Sequence, residues 1–337
     1  MLPTFRTSKR SDLQALSAFL VRTYKFEPSD FHFDAKLLEW KYLYPRLDWQ
    51  CDRSYLLERD GNIVAHAGVC PVTFRLPTGQ TVRSLTILDW AAEAKTGLGV
   101  VLFRKLMQMA PTSFVIGGAP VTRGIVPRIG FRHVGDAPTY AAWLRPFHEF
   151  RIRPRSGRSL LRLLHGLTHP VPTRTRHTKQ WEFAPVQQFD DSLQPILNRG
   201  GQRPWTSCQR TVADLNYLLQ CPHLKMQGFL LRREGTLAGY FIIGTLDWEA
   251  RVLDIVVDSE VINDWKHACA ALTNAALLNP AICRMRILST MPLLTRALLW
   301  NGYWRQYKEP ILLHDPTQAL SSAFPVHFQY FDGDSGY

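Results

Sequence analysis

The stretch Ile87-Leu-Asp-Trp-Ala-Ala-Glu-Ala-Lys-Thr-Gly-Leu-Gly-Val-Val-Leu-Phe-Arg-Lys-Leu106 runs an apolar strand into a glycine turn and then directly into a helix. The helix is read from apolar residues at Val101, Leu102 and Leu106, which share one face at a 3.6-residue period. Gly97 and Gly99 sit where the strand ends and the helix begins. A helix N-terminus leaves backbone N–H groups without intrahelical partners, and its dipole favours an anion. Glycine lets that backbone approach the anion closely, and Lys95 adds a side-chain charge. The turn is therefore a candidate phosphate cradle. It is not a dinucleotide fingerprint, because the position three after Gly99 is Leu102 and the motif follows a hairpin. It is not a P-loop either, because no Gly-Lys-Ser/Thr follows.

Upstream of this block, Tyr55-Leu-Leu-Glu-Arg-Asp-Gly-Asn-Ile-Val-Ala-His66 reads as two strands joined at Asp60-Gly61. Such a dipeptide between apolar runs is a strong hairpin signal. Phe229-Leu-Leu-Arg-Arg-Glu-Gly-Thr-Leu-Ala-Gly-Tyr240 repeats it, with Leu56/Leu230, Leu57/Leu231, Arg59/Arg233 and Gly61/Gly235 identical. Thr86-Ile-Leu-Asp-Trp90 is echoed by Val252-Leu-Asp-Ile-Val256. Helical stretches follow at Val100 to Met109 and Trp265 to Leu278, then short strands at Ser113–Ile116 and Cys283–Leu288. A second helical piece in each half ends at Gly130-Phe131 or Gly302-Tyr303, with glycine placed as a C-cap. The same order twice predicts a mixed α/β chain of two tandem domains, each with a mixed, mostly antiparallel sheet flanked by helices.

The expected division is a first domain over 1–146, a basic linker over 147–182, a second domain over 183–315 and a tail over 316–337. The interval from Arg145 to Lys179 holds nine Lys or Arg residues against the single acid Glu149 and carries four prolines. Within it, Ser159 to Leu167 has the spacing of a short amphipathic helix.

The chain has 337 residues, is 46% hydrophobic, and has 40 Lys plus Arg against 28 Asp plus Glu, a net charge of +12. This composition excludes a disordered chain and favours anionic partners. No stretch approaches the length of a membrane-spanning helix. Arg6, Lys9 and Arg10 are not followed by an apolar signal region. Cys51, Cys70, Cys208, Cys221, Cys269 and Cys283 are scattered without metal-site spacing. The expectation is a cytoplasmic protein with reduced cysteines and no bound metal.

The order of elements resembles the GNAT (Gcn5-related N-acetyltransferase) superfamily. That family opens a helix with Arg/Gln-x-x-Gly-x-Gly/Ala, and the six residues here are Ala94-Lys-Thr-Gly97-Leu-Gly99. Val126-Pro-Arg-Ile-Gly130-Phe131 is similar to its second signature. The resemblance covers about residues 3 to 145, and more weakly 183 to 315. It implies acetyl-CoA or another acyl-CoA as substrate, with the pyrophosphate on Lys95, Thr96, Gly97, Leu98, Gly99 and Val100. It also implies a pantetheine cleft where Thr86–Trp90 and Ser113–Ile116 splay apart. A backbone N–H near Leu88, Asp89 and Trp90 would polarise the thioester, and Asp89 or Glu93 would serve as general base.

Two departures stand out. Ala94 replaces Arg or Gln, and Val126 occupies the position of the Tyr that many members use as general acid. In the second half, Val257-Asp-Ser-Glu-Val-Ile-Asn-Asp264 carries acids where the glycine turn should be, which would repel phosphate. That half is read as a degenerate copy. His66, His133 and His223 are read as structural or surface residues.

The leading expectation is an acyl-CoA-dependent N-acyltransferase acting on a small amine, an amino sugar or an amino acid. The alternatives are a Fem-type aminoacyl-tRNA-dependent transferase and a catalytically silent binding protein. The retained CoA-like turn and the lack of a long helical hairpin count against a nucleic-acid partner. The Arg-rich linker adds an acidic acyl carrier protein or an anionic membrane surface as candidate partners.

Overall fold

The computed structural model describes residues 2–27, 31–47, 49–152, 157–168, 180–199, 203–320 and 325–333. In the first half the strands are β1 (Thr4–Thr7), β2 (Ser54–Arg59), β3 (Asn62–Arg75), β4 (Thr81–Ala92), β5 (Thr112–Ile116) and β6 (Arg132–Trp143). In the second they are β7 (Trp181–Val186), β8 (Thr206–Cys208), β9 (Lys225–Arg233), β10 (Thr236–Leu246), β11 (Glu249–Val257), β12 (Arg284–Leu288), β13 (Trp304–His314) and β14 (Val326–His327).

The duplicated hairpins form at their turns. Asp60 and Gly61 have φ 51° and 75°, and Glu234 and Gly235 have φ 52° and 78°. Two successive residues at positive φ match the right-handed strand twist, so both turns join their strands tightly. The helices Leu98–Met107 and Ile262–Leu277 follow β4 and β11. Each begins earlier than its apolar periodicity suggests, because the first helical turn is polar or glycine-bearing. Gly130, at φ 102°, is the C-cap of its helical piece, and Gly302, at φ 81°, follows the C-cap Asn301 as the left-handed residue that ends the other.

All of these strands join one mixed sheet, in the order β1-β2-β3-β4-β5-β13-β6-β12-β11-β10-β9-β7, with β8 attached to β3 and β14 to β8. The corresponding pairs β4–β5 and β11–β12 are both parallel. At the centre the halves exchange their last strands. β6 of the first half pairs with β12, and β13 of the second half pairs with β5. β6 and β13 then pair antiparallel with each other, and Ala137 faces Glu309. Those two residues are separated by the same interval as Gly130 and Gly302, so the pairing has an approximate two-fold at that point. Hydrogen bonding therefore crosses the boundary at residue 146.

Helices cover the sheet. Leu102, Phe103 and Leu106 pack on β2–β5 with Val64, Leu85 and Ile87, and Trp265, Leu272 and Ala276 pack on β10–β12. Described residues beyond 315 also pack: Val326 and His327 pair with Thr206 and Ser207, and Phe328 and Tyr330 are buried. Arg153, Arg155, Arg174, Arg176 and Lys179 of the linker lie outside the described residues. No helix among the described residues is long and apolar enough to cross a membrane.

Candidate functional site

β4 and β5 pair only through Ser84–Thr112, Leu85–Ser113 and Thr86–Phe114. Beyond Thr86 the two strands part, as the family resemblance implies. A cavity of about 300 Å³ opens between them, lined by Thr86 to Trp90 on one side and Val115 and Ile116 on the other. Its volume is at the lower end of the range for small-molecule sites. Tyr24, Phe26, His32 and Phe33 form an aromatic wall, with Tyr24 stacked on Phe33 at 5.1 Å and Phe26 on His32 at 5.2 Å.

The strand is bent at Asp89. Gly68 pairs with Leu88 and His66 with Ala91, so Asp89 and Trp90 form a bulge opposite Ala67. Asp89 is held at φ 46°, the left-handed region that a non-glycine residue occupies at a cost of about 1–3 kcal/mol. Three contacts fix it there. The His66 ring nitrogen Nδ1 lies 2.9 Å from the Asp89 carbonyl oxygen. Lys41 Nζ donates to Asp89 Oδ2 at 2.8 Å, and the Tyr42 hydroxyl donates to the same oxygen. Both donors come from the helix Ala35–Leu43, and all three side chains are buried. Gly68 makes room, since a side chain there would overlap the Tyr42 ring. Burial pushes the His66 imidazole down to about 4, against the pull of Asp89, so the ring is neutral.

The glycine turn closes the end of the strand. Gly97, at φ 72°, is the N-cap of the helix Leu98–Met107, and the space beside it is open. Lys95 and Thr96 are exposed next to it, and Leu98 and Val100 occupy the first turn of the helix. Gly99 serves a different need. A Cβ there would lie 2.9 Å from Ala92 Cβ and 3.0 Å from Trp90 Nε1, and Trp90 Nε1 donates to the Gly99 carbonyl at 2.8 Å. Gly97 supplies the left-handed turn, and Gly99 lets the helix dock on the strand. Among the cradle residues, Gly97 is open to solvent with room for a phosphate, which fits the anion site expected there.

Of the two carboxylates predicted as bases, Asp89 lines the cavity. Glu93 does not line it; it pairs with Arg59 at 3.0 Å on the outer surface. A third carboxylate, Glu309, was not predicted. It reaches the cavity on β13, the strand exchanged from the second half. Glu309 is half-buried, and burial raises its carboxyl above the ordinary range while Arg123 opposes the shift. Among the described residues it makes no hydrogen bond. Gly117 is required for its placement, because a Cβ there would sit on the Glu309 carboxylate. The cation within Leu37-Leu-Glu-Trp-Lys41-Tyr42-Leu43 was a signal for Lys41. No local signal distinguishes Glu309.

The cleft of the second half is filled. Asp254, the counterpart of Asp89 in the shared Leu-Asp pair, accepts from Arg210 Nε at 3.2 Å and from the Tyr240 hydroxyl at 2.6 Å. Gln329 enters beside it: its Oε1 accepts from Ile255 N–H at 2.7 Å, and its Nε2 donates to the Ile255 carbonyl at 3.2 Å. A side-chain amide thus uses both hydrogen-bonding groups of the parted strand. His133 is an exposed partner of Asp136, and His223 lies near Asp34.

No family model matches the chain, and no curated protein matches it in sequence. Solved structures do match. A GCN5-related N-acetyltransferase from Anabaena variabilis superposes with a TM-score of 0.63 at 13% identity, over 92% of this chain and 72% of that one. One from Kribbella flavida gives 0.61 at 10% identity, over 93% and 71%. N-myristoyltransferase of Saccharomyces cerevisiae gives 0.63 at 11% identity, over 93% and 80%. The fold of this chain is that of the GCN5-related N-acetyltransferases.

Proposed function

We propose that this chain, built on the GCN5-related N-acetyltransferase fold, transfers an acyl group from an acyl-CoA to a primary amine in the cleft of its first half. The observation that carries the reading is the cavity between β4 and β5, lined by a strained strand residue and a carboxylate without a hydrogen bond among the described residues, with a phosphate-compatible glycine turn after the end of the same strand. Acyl-CoA supplies an activated thioester. In the transfer, the amine nitrogen bonds to the acyl carbon, the carbon–sulfur bond breaks, and the thiolate leaves with its electron pair.

The chain's own residues have divided roles. Gly97 and the first turn after it bind the pyrophosphate, with Lys95 as the added charge. A backbone N–H at the bulge of Asp89 and Trp90 is the donor we assign to the acyl oxygen, where a preorganised donor stabilises developing charge. Asp89 is committed to Lys41 and Tyr42, which suits it to holding the strand end and not to shuttling a proton. Glu309 is the better base, since burial raises its carboxyl toward the working pH and no described residue hydrogen-bonds to it. No Tyr stands at 126, and a thiolate with a pKa near 8.5 leaves without obligatory protonation.

The aromatic wall suits an amine with an apolar body, because a cation is attracted to the face of an aromatic ring. Acetyl-CoA is the acyl donor we favour, with a small amine, an amino sugar or an amino acid as acceptor. The test is thiol release from a panel of acyl-CoAs in the presence of candidate amines. Turnover that depends on both substrates supports the reading. Tight acyl-CoA binding without turnover for any amine would reduce the protein to a binding module.

A further inference from the structure

We propose that the helix Gly157–Thr168 docks this protein on the headgroup region of an anionic lipid bilayer. Leu160, Leu161, Leu164 and Leu167 are 49%, 68%, 51% and 44% exposed. At helical spacing these four leucines fall within one continuous face. The opposite side is the one that touches the protein. Gly166 is buried, and a Cβ on it would lie 2.7 Å from Pro146 Cβ and 3.1 Å from Trp143 Cβ.

An ordinary surface helix turns its apolar face inward, and this one turns it outward. The neighbouring helix Pro146–Ile152 adds Phe147 and Ile152, which are 60% and 46% exposed. Six large apolar side chains on two packed helices exceed the scattered exposure normal for a protein surface.

Charge selects the occupant. The interval Arg145 to Lys179 has nine cations, and its one acid, Glu149, is buried. From residue 151 to residue 162 the sequence carries five arginines and no acid, and Arg151 is exposed. A short helix with an outward leucine face in a strongly cationic stretch of sequence is the pattern of interfacial helices, which lie in the membrane plane with the apolar side sunk into the headgroup boundary. At 12 residues it is too short to span. An acidic carrier protein would satisfy the cations but would have to supply a preformed groove for four leucines. A fluid bilayer needs no such groove, and anionic lipid adds about 1 kcal/mol per nearby Lys or Arg. The inference does not depend on the activity proposed for the cleft.

The experiment is vesicle flotation of the full chain, comparing phosphatidylcholine vesicles with vesicles containing about 30 mol % phosphatidylserine. The parent should float with the anionic vesicles. A variant with L160S, L161S, L164S and L167S should lose binding by about tenfold or more while its thermal unfolding is unchanged, because those side chains are exposed. A variant with R151S, R158S and R162S should bind weakly, and binding by the parent should fall as salt rises. A parent that stays off anionic vesicles at low salt, or a leucine variant that floats like the parent, overturns the proposal. So does binding to an acidic acyl carrier protein in the absence of any vesicle binding.

Discussion

The ring of His66 and the carbonyl of Asp89 stand 2.9 Å apart inside the first half, and that bond fixes the tautomer of the ring. A carbonyl only accepts, so Nδ1 carries the hydrogen. Nε2 is then free to accept from Ser54 Oγ at 3.0 Å. The neutral ring holds the strained strand end that lines the cavity, and its neutrality follows from complete burial.

This neutrality predicts acid sensitivity. His66 and the buried His327 are both pushed down to about 4 by desolvation, from an ordinary value near 6.5. Below 6.5 the unfolded chain takes up these protons and the folded chain does not. Stability should therefore fall as the pH drops from about 6.5 to 4, by up to about 1.4 kcal/mol per unit for each histidine. Urea titrations across this range check it. A flat profile would show that neither ring is buried in its neutral form.

Replacing Lys41 by Met should destabilise the fold by about 3 kcal/mol, since it leaves the buried Asp89 carboxylate without its cation. The double variant K41M/D89N should recover part of that loss. Chemical denaturation of the two variants measures the difference.

Glu309→Gln should lower kcat by about 10²–10⁴ with little change in the affinity for acyl-CoA, and should remove the acidic limb of the pH–rate profile. Glu93→Gln should leave kcat near that of the parent, because Glu93 is paired with Arg59 away from the cavity. Steady-state kinetics of both variants decide between the two carboxylates.

Gly97→Asp should weaken CoA binding by about tenfold or more through charge repulsion at the helix N-terminus. The fold should survive, because no heavy atom lies within 4 Å of the added Cβ and Asp tolerates the left-handed region better than most residues. Gly99 is unsuitable for this test, since any side chain there strikes Trp90 and Ala92. Calorimetric titration with CoA gives the result.

One acyl-CoA should bind per chain. Gln329 already occupies the backbone of Ile255 in the second cleft, and acids fill the loop where a glycine turn would be. Titration calorimetry should return a stoichiometry of one. A value of two would mean that Gln329 gives way to ligand.

Much of the architecture was legible because it is specified locally. Asp60-Gly61 and Glu234-Gly235 demand positive φ wherever they stand, and alternating apolar residues on either side leave little choice but a hairpin. Gly130 and Gly302 end helices for the same reason. The parting of β4 from β5 followed from the family resemblance, and the repeated order of elements and the glycine turn at 97 could be read in sequence. So could the placement of Asp89 at the strand end.

The tertiary structure alone decided which half completes which cleft. Two halves with the same order of elements offer two near-equivalent last strands, β6 and β13, to two near-equivalent sheet edges, and no local preference separates the pairings. Their exchange brings Glu309 to the first cleft, within a strand whose counterpart residue is Ala137. Lys41 and Tyr42 meet Asp89 only through packing of a helix nearly fifty residues upstream. Strand exchange and helix docking are non-local choices, set by which arrangement buries apolar surface and partners deeply buried charges such as Asp89. Sequence periodicity has a range of a few residues and does not reach them.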